Sequence, residues 1–240
     1  MEAIILQHIK IEDPGYIKDL MLSDGWKLTT IELDEGDKIP KNLNQFDAMF
    51  CMGGPMDTWM EKDYPWLIEE KKAIKEFVVF LKKPYLGFCL GCQLLGEVIG
   101  GKVNKSKNPE IGMLDINFLN NKCNDNLFSK FPEKIKSLQW HSYEVQDLES
   151  NENVTLIASS KETKYQIFKY QNHAYGIQFH IEIKDTTVKE WGCVPEYKLA
   201  LEKQLGNGAL QKFDNEAQKN IQNMNNYSRI LYYNFKKIIK

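Results

Sequence analysis

The chain has no long apolar run, no excess of either charge and no cysteine framework. No stretch approaches the roughly 20 apolar residues that a membrane-crossing helix needs, so none is expected. The start, MEAIILQHIK, lacks a basic region followed by a long apolar one, so no secretory signal is expected. Lys and Arg number 31 against 33 Asp and Glu, a net charge of -2, and the signs are mixed along the chain. That excludes the basic face of a nucleic-acid binder. Five cysteines, an odd number in 240 residues, argue against a disulfide scaffold, and a reducing cytoplasm is the expected compartment. There is no G-x-x-x-x-G-K-S/T loop, no second C-x-x-C and no pair of histidines at zinc-ligand spacing. No cofactor or metal is therefore expected. Repeats, low-complexity tracts and inter-domain linkers are also missing, which implies a single domain, with a core over about residues 1–184 and a helical extension over about 185–240.

What is present alternates between two periods. Ala3 to Ile9, Lys27 to Leu33, Asp47 to Met52 and Pro84 to Phe88 read as strands. Between them, Tyr16 to Leu22, Pro65 to Lys82 and Leu90 to Ile99 read as helices, the second carrying Leu67, Ile74, Phe77, Val78 and Leu81 on one face. This alternation predicts an α/β fold with an open, mostly parallel sheet flanked by helices and right-handed crossovers. The middle changes character: Met113 to Leu119, Val154 to Ala158, Tyr165 to Tyr170 and Ala174 to Phe179 predict an added antiparallel β portion. Pro195 to Leu205 and Asn215 to Lys240 predict C-terminal helices.

The segment that carries chemistry is Pro84-Tyr85-Leu86-Gly87-Phe88-Cys89-Leu90-Gly91-Cys92-Gln93. An apolar strand enters Gly-x-Cys-x-Gly and passes directly into a helix, the thiol form of a nucleophile elbow. Residues two before and two after the nucleophile must be small, because larger side chains would collide in so tight a turn. The elbow sets the sulfur at the carboxyl edge of the sheet and at a helix N-terminus, which favours thiolate. It also leaves the Leu90 amide able to stabilise an oxyanion. The same residues form a C-x-x-C, Cys89 to Cys92, after a strand and opening a helix, which is a thioredoxin-like redox pattern. A third reading makes Cys89 a buried small hydrophobe.

Three further segments bear on the choice among these. Gly176-Ile177-Gln178-Phe179-His180-Ile181-Glu182 places an imidazole and a carboxylate two residues apart, on one face of a regular strand. Met52-Gly53-Gly54-Pro55 ends a strand in a glycine pair that exposes backbone amides. Trp140-His141-Ser142-Tyr143 follows in the middle region. Together, and in this order, they resemble the class I glutamine amidotransferases, the flavodoxin-like family that supplies ammonia to GMP synthase and carbamoyl phosphate synthetase. The resemblance implies that Cys89, His180 and Glu182 are a catalytic triad. It implies that the Gly54 and Leu90 amides form the oxyanion hole, and that Gly53, Gln93, Ser142 and Tyr143 contact the substrate. The sequence departs from the family in having Ile181 where proline is usual and Cys92 where a polar residue is more typical. His8, His141 and His173 are given no catalytic role and are expected at strand edges or on the surface.

The expected activity is glutaminase-type hydrolysis of a γ-glutamyl amide through a Cys89 thioester, releasing ammonia or an amine. The expected ligand is a small γ-glutamyl compound, glutamine first. A separate synthase chain is the partner the resemblance implies, and the long helical tail points alternatively to self-association or a stand-alone protein. Three alternatives stay open: a freestanding γ-glutamyl peptidase or hydrolase, a catalytically silent binding domain, and a C-x-x-C redox protein.

Overall fold

Strand β1 (Glu2–Gln7) is apolar at nearly every position and buried on both sides, as a strand sandwiched between two helical layers must be. Ala3 and Ile5 face one core and Ile4 and Leu6 the other. In the computed structural model, which describes residues 1–239, β1 pairs in parallel with β2 (Lys27–Glu32) and with β3 (Ala48–Cys51). Parallel pairing continues through β4 (Tyr85–Phe88) to β9 (Ala174–Ile177). The remaining strands extend the same sheet in antiparallel fashion: β8 (Ile167–Tyr170), β7 (Val154–Ser159), β5 (Lys102–Phe118) and β6 (Lys134–Gln146). The complete order is β2-β1-β3-β4-β9-β8-β7-β5-β6. The fold is thus the expected one, a curled mixed sheet flanked by helices, half parallel and half antiparallel.

One helical layer comprises α2 (Trp66–Lys75) and α3 (Leu90–Val98). The other comprises α1 (Gly15–Ser23) and the long α6 (Ala209–Ile238), whose Phe235 packs edge-on against Phe50 of β3 with ring centroids 5.5 Å apart. Two shorter helices, α4 (Thr187–Trp191) and α5 (Pro195–Leu205), connect the sheet to α6. Among the described residues no helix is long and apolar enough to cross a membrane.

Several expected boundaries shift. The helix expected over Pro65 to Lys82 is α-helical only to Lys75 and winds into a π turn over Glu76–Phe80. The strand expected at Met113 is the second half of a 17-residue strand, and its 13-residue partner β6 has no counterpart among the expected strands. The tail helix starts at Ala209 rather than Asn215, and its expected last residue, Lys240, lies outside the described residues. Strand β9 ends at Ile177, so His180 and Glu182 do not lie on a regular strand. His180 instead forms a single antiparallel bridge to Leu138 of β6.

Candidate active site

The parallel strand β4 delivers Cys89 to the carboxyl edge of the sheet. Its backbone there has φ 48° and ψ -101°, a sparsely populated conformation held between strand β4 and helix α3. The Cys89 amide donates to Ile177 O at 2.9 Å, anchoring the turn to β9. The two glycines are required by space. A Cβ on Gly87 would run into the Gly91 carbonyl, and one on Gly91 into the Cys51 carbonyl of the neighbouring strand.

Cys89 opens into a cavity walled by Gly54, Leu90, Gln93, Ser142, Tyr143 and residues of α5. The amides of Gly54 and Leu90 have no hydrogen-bond partner among the described residues. Leu90 is the first residue of α3, so its N–H is one of the donors that a helix leaves unmatched. Gln93 donates to Tyr143 O at 3.1 Å and to Gln178 Oε1 at 3.3 Å, which ties the elbow helix to the far wall. Gly53 sits one residue behind the wall and does not line the cavity.

His180 and Glu182 meet although the regular strand has ended. His180 Nδ1 lies 2.6 Å from Glu182 Oε1, and both residues are buried. The Cys89 sulfur is near enough to the imidazole to act on its charge. Burial alone would lower the imidazole pKa. The Glu182 carboxylate and the Cys89 sulfur outweigh that and hold it well above its ordinary value. With Nδ1 committed to Glu182, Nε2 is the nitrogen left for the sulfur. Glu182 Oε2 accepts from the Ile181 N–H at 2.9 Å, and the Ile181 carbonyl accepts from Ser228 Oγ of α6 at 2.6 Å.

Several contributors carry no motif of their own. Gln178 donates to Cys89 Sγ at 3.6 Å from a fully buried position. Its place two residues before His180 is the one clue in the sequence. Trp191 of α4 packs edge-on against the His180 ring, centroids 4.6 Å apart. Tyr197 of α5 lines the cavity and its hydroxyl donates to Glu12, a buried carboxylate in the loop after β1. Among the described residues the second oxygen of Glu12 has no partner, and burial pushes the Glu12 pKa up to about 6, against the opposing pull of His180 and Tyr197. Glu12 lies at the carboxyl end of a central parallel strand, where open α/β sheets form their sites, and that rule could have flagged it.

The other histidines correct the expectation. His8 and His141 are buried rather than superficial; His141 lines the cavity with Nε2 3.5 Å from Glu110. His173 is half-buried, and its Nε2 lies 2.9 Å from Val78 O. Cys92 does not face the cavity. It is fully buried beside Gly176, and burial together with the nearby Cys89 pushes its pKa far up. Among the described residues the one cluster of metal-ligand types is His8, Cys51 and Glu70. It is closed to solvent and engaged internally, with His8 Nε2 2.9 Å from Glu70 Oε1 and Cys51 Sγ 3.3 Å from the same oxygen.

Residues 16–190 match the model of the family described as Glutamine amidotransferase class-I. A glutamine-hydrolysing GMP synthase subunit of Sulfolobus acidocaldarius is 32% identical over 151 residues, 62% of this chain and 74% of the relative. Gamma-glutamyl peptidase 2 of Arabidopsis thaliana is 28% identical over 183 residues, 75% of this chain and 72% of the relative. The crystal structure of a glutamine amidotransferase from Thermotoga maritima superposes with a TM-score of 0.86 at 27% identity, covering 98% of this chain and 97% of that one.

Proposed function

The chain belongs to the class I glutamine amidotransferase family, and we propose that it hydrolyses a γ-glutamyl amide with Cys89 as nucleophile, His180 as acid–base and Glu182 as the group that orients His180. The observation that carries this reading is the joint aim of the site. A strained elbow cysteine and two amides without partners among the described residues line one cavity, and a buried imidazole pinned at Nδ1 stands behind that cysteine.

The chemistry follows from those parts. The Cys89 thiol proton rests on His180 Nε2, and the thiolate sulfur attacks the γ-carbonyl carbon. The carbonyl oxygen becomes an oxyanion held by the Gly54 and Leu90 amides. Collapse breaks the carbon–nitrogen bond, and His180 returns the proton to the departing ammonia or amine. A water, deprotonated by His180, then attacks the thioester, regenerates the thiol and releases the free γ-carboxylate. Glu182 keeps the imidazole in the working tautomer throughout. Gln93 from the elbow helix and Ser142 and Tyr143 from the far wall contact the glutamyl portion, and Gly53 supports the Gly54 amide from behind.

Glutamine is the first candidate substrate, with ammonia passed to a separate synthase chain. A second reading, a γ-glutamyl peptidase-type hydrolase, is favoured by α5. Its Glu196, Tyr197 and Ala200 wall the cavity, and they lie beyond the span matched by the family. One assay separates the readings. The protein is incubated with glutamine, glutathione and γ-glutamyl anilide while free glutamate is followed. Turnover that is lost in Cys89→Ala and in His180→Ala supports the mechanism, and the preferred compound selects between the readings. Activity that survives Cys89→Ala, or no turnover of any of the three together with no labelling of Cys89 by a glutamine-like chloroketone, refutes it.

A further inference from the structure

His8, the first residue after β1, is fully buried and does not itself line the cavity. Its Nδ1 lies 2.8 Å from the carbonyl oxygen of Gly53. A carbonyl only accepts, so Nδ1 carries a proton. Nε2 lies 2.9 Å from Glu70 Oε1, a carboxylate of α2 with no exposure. The ring is further fixed by Trp66, stacked on it with centroids 5.6 Å apart and planes inclined by 28°. Burial disfavours a charged imidazole, but Glu70, the Gly53 carbonyl and Glu12 together keep the His8 pKa above its ordinary value. Glu12 is the other carboxylate against this peptide: a Cβ on Gly53 would run into it.

The Gly53 carbonyl belongs to the same rigid peptide unit as the Gly54 N–H. No peptide bond in the described chain is cis, so the two point in opposite directions across one plane. A group that grips the carbonyl from one side therefore aims the amide to the other. The Gly53-Gly54 pair would otherwise be among the least constrained stretches of backbone in the molecule, because glycine populates many backbone conformations. The Gly54 side faces the cavity beside Leu90 and Cys89.

From this geometry we infer that His8, backed by Glu70, is a positioning residue that holds the Gly53-Gly54 peptide so that the Gly54 N–H faces the oxyanion. The inference rests on the proposed amide hydrolysis and adds to it a part outside the triad. The site is thereby tied to β1 and α2 as well as to the elbow, and the second oxyanion donor is preorganised in the absence of substrate.

The test must separate loss of a donor from loss of a fold, because removing His8 alone strands a buried, unpaired carboxylate. Both variants are therefore made in a Glu70→Gln background. In one, His8→Asn keeps an N–H donor at the place of Nδ1; in the other, His8→Ala removes it. The expected result is that the His8→Ala pair loses kcat by about 10–100-fold relative to the His8→Asn pair, with KM within about threefold and unchanged alkylation of Cys89 by iodoacetamide. Equal kcat in the two pairs, or a loss carried by KM, overturns the inference. Crystal structures of both pairs give a readout independent of turnover: the Gly53 carbonyl is expected to rotate in the His8→Ala pair. If the wild-type protein hydrolyses no γ-glutamyl compound, the proposed function fails on its own, and the peptide orientation alone decides this point, an unmoved Gly53 carbonyl refuting it.

Discussion

The N–H of Ile181 donates to the carboxylate of Glu182, its immediate neighbour, at 2.9 Å. Proline, the usual residue at this place in the family, has no such hydrogen. The departure from the family at this position is therefore a gain of one donor to Glu182. The carboxylate then serves two donors at once, His180 Nδ1 through Oε1 and Ile181 through Oε2. An amide at position 182 has one accepting oxygen and cannot satisfy both. Glu182→Gln is expected to lower kcat by about 10²–10⁴-fold, as loss of a triad carboxylate does. Adding Ile181→Pro removes the competing donor, so the double variant is expected to recover part of the loss. Steady-state kinetics of the two single variants and the double form a cycle, and strict additivity would contradict the shared-carboxylate account.

Cys92 separates amide chemistry from redox chemistry. Its side chain is sealed in the core beside Gly176, while Cys89 opens into the cavity. Cys92→Ala is expected to cost about 1 kcal/mol of stability from the lost sulfur contacts while turnover by Cys89 persists. Cys89→Ala is expected to leave stability nearly unchanged and abolish turnover. Thermal melting and glutamate release on the two variants check this. Equal loss of activity in both would revive the C-x-x-C reading.

Much of this is legible in the chain because its signals are local. The glycines around Cys89 and the apolar runs of β1, β3 and β4 carry their own reason for their conformation. The triad is legible because order along the chain survives in the site. Strand β6 is not legible, because its first half, Lys134-Ile135-Lys136-Ser137, holds a single apolar residue among two lysines and a serine; its burial comes from the partner β5 and from His180 behind it. Trp191 and Tyr197 are not legible for a related reason. They reach the site from separate elements, and nothing in their own neighbourhoods marks them until the fold closes. His8 reads as peripheral because a lone histidine at a strand end has no local sign of burial; its partner Glu70 is 62 residues away.

Glu12 gives the protein a pH signature. Its pKa is raised from 4.5 to about 6 by burial. The folded state therefore holds a proton that the unfolded state has released between these two values. By linkage, stability falls as pH rises through the window from about 4.5 to 6, and the full penalty, about 2 kcal/mol, is present above it. Glu12→Gln keeps an acceptor for the Tyr197 hydroxyl and removes the titration. The variant is expected to melt higher than wild type at pH 7 and to show a flatter stability profile between pH 4.5 and 6. Denaturant unfolding at a series of pH values checks this, and a variant less stable than wild type at pH 7 would show that the charged form is the favoured one.

Helix α5 offers the means to test what the cavity selects. Glu196 and Ala200 line it, and neither side chain is hydrogen-bonded to His180 or to the elbow. Asp57 lines the same cavity, its pKa raised to about 6 by burial, so the cavity carries two acidic side chains, Asp57 and Glu196. Binding that is equal in ground and transition states appears in KM alone. Glu196→Gln and Ala200→Leu are therefore expected to raise KM for the larger γ-glutamyl compounds by about 3–30-fold at nearly constant kcat, with a smaller effect on glutamine. If α5 only closes a glutamine site for a synthase partner, both substitutions should instead change glutamine and glutathione turnover in equal proportion, and that outcome would remove the support α5 gives to the peptidase reading.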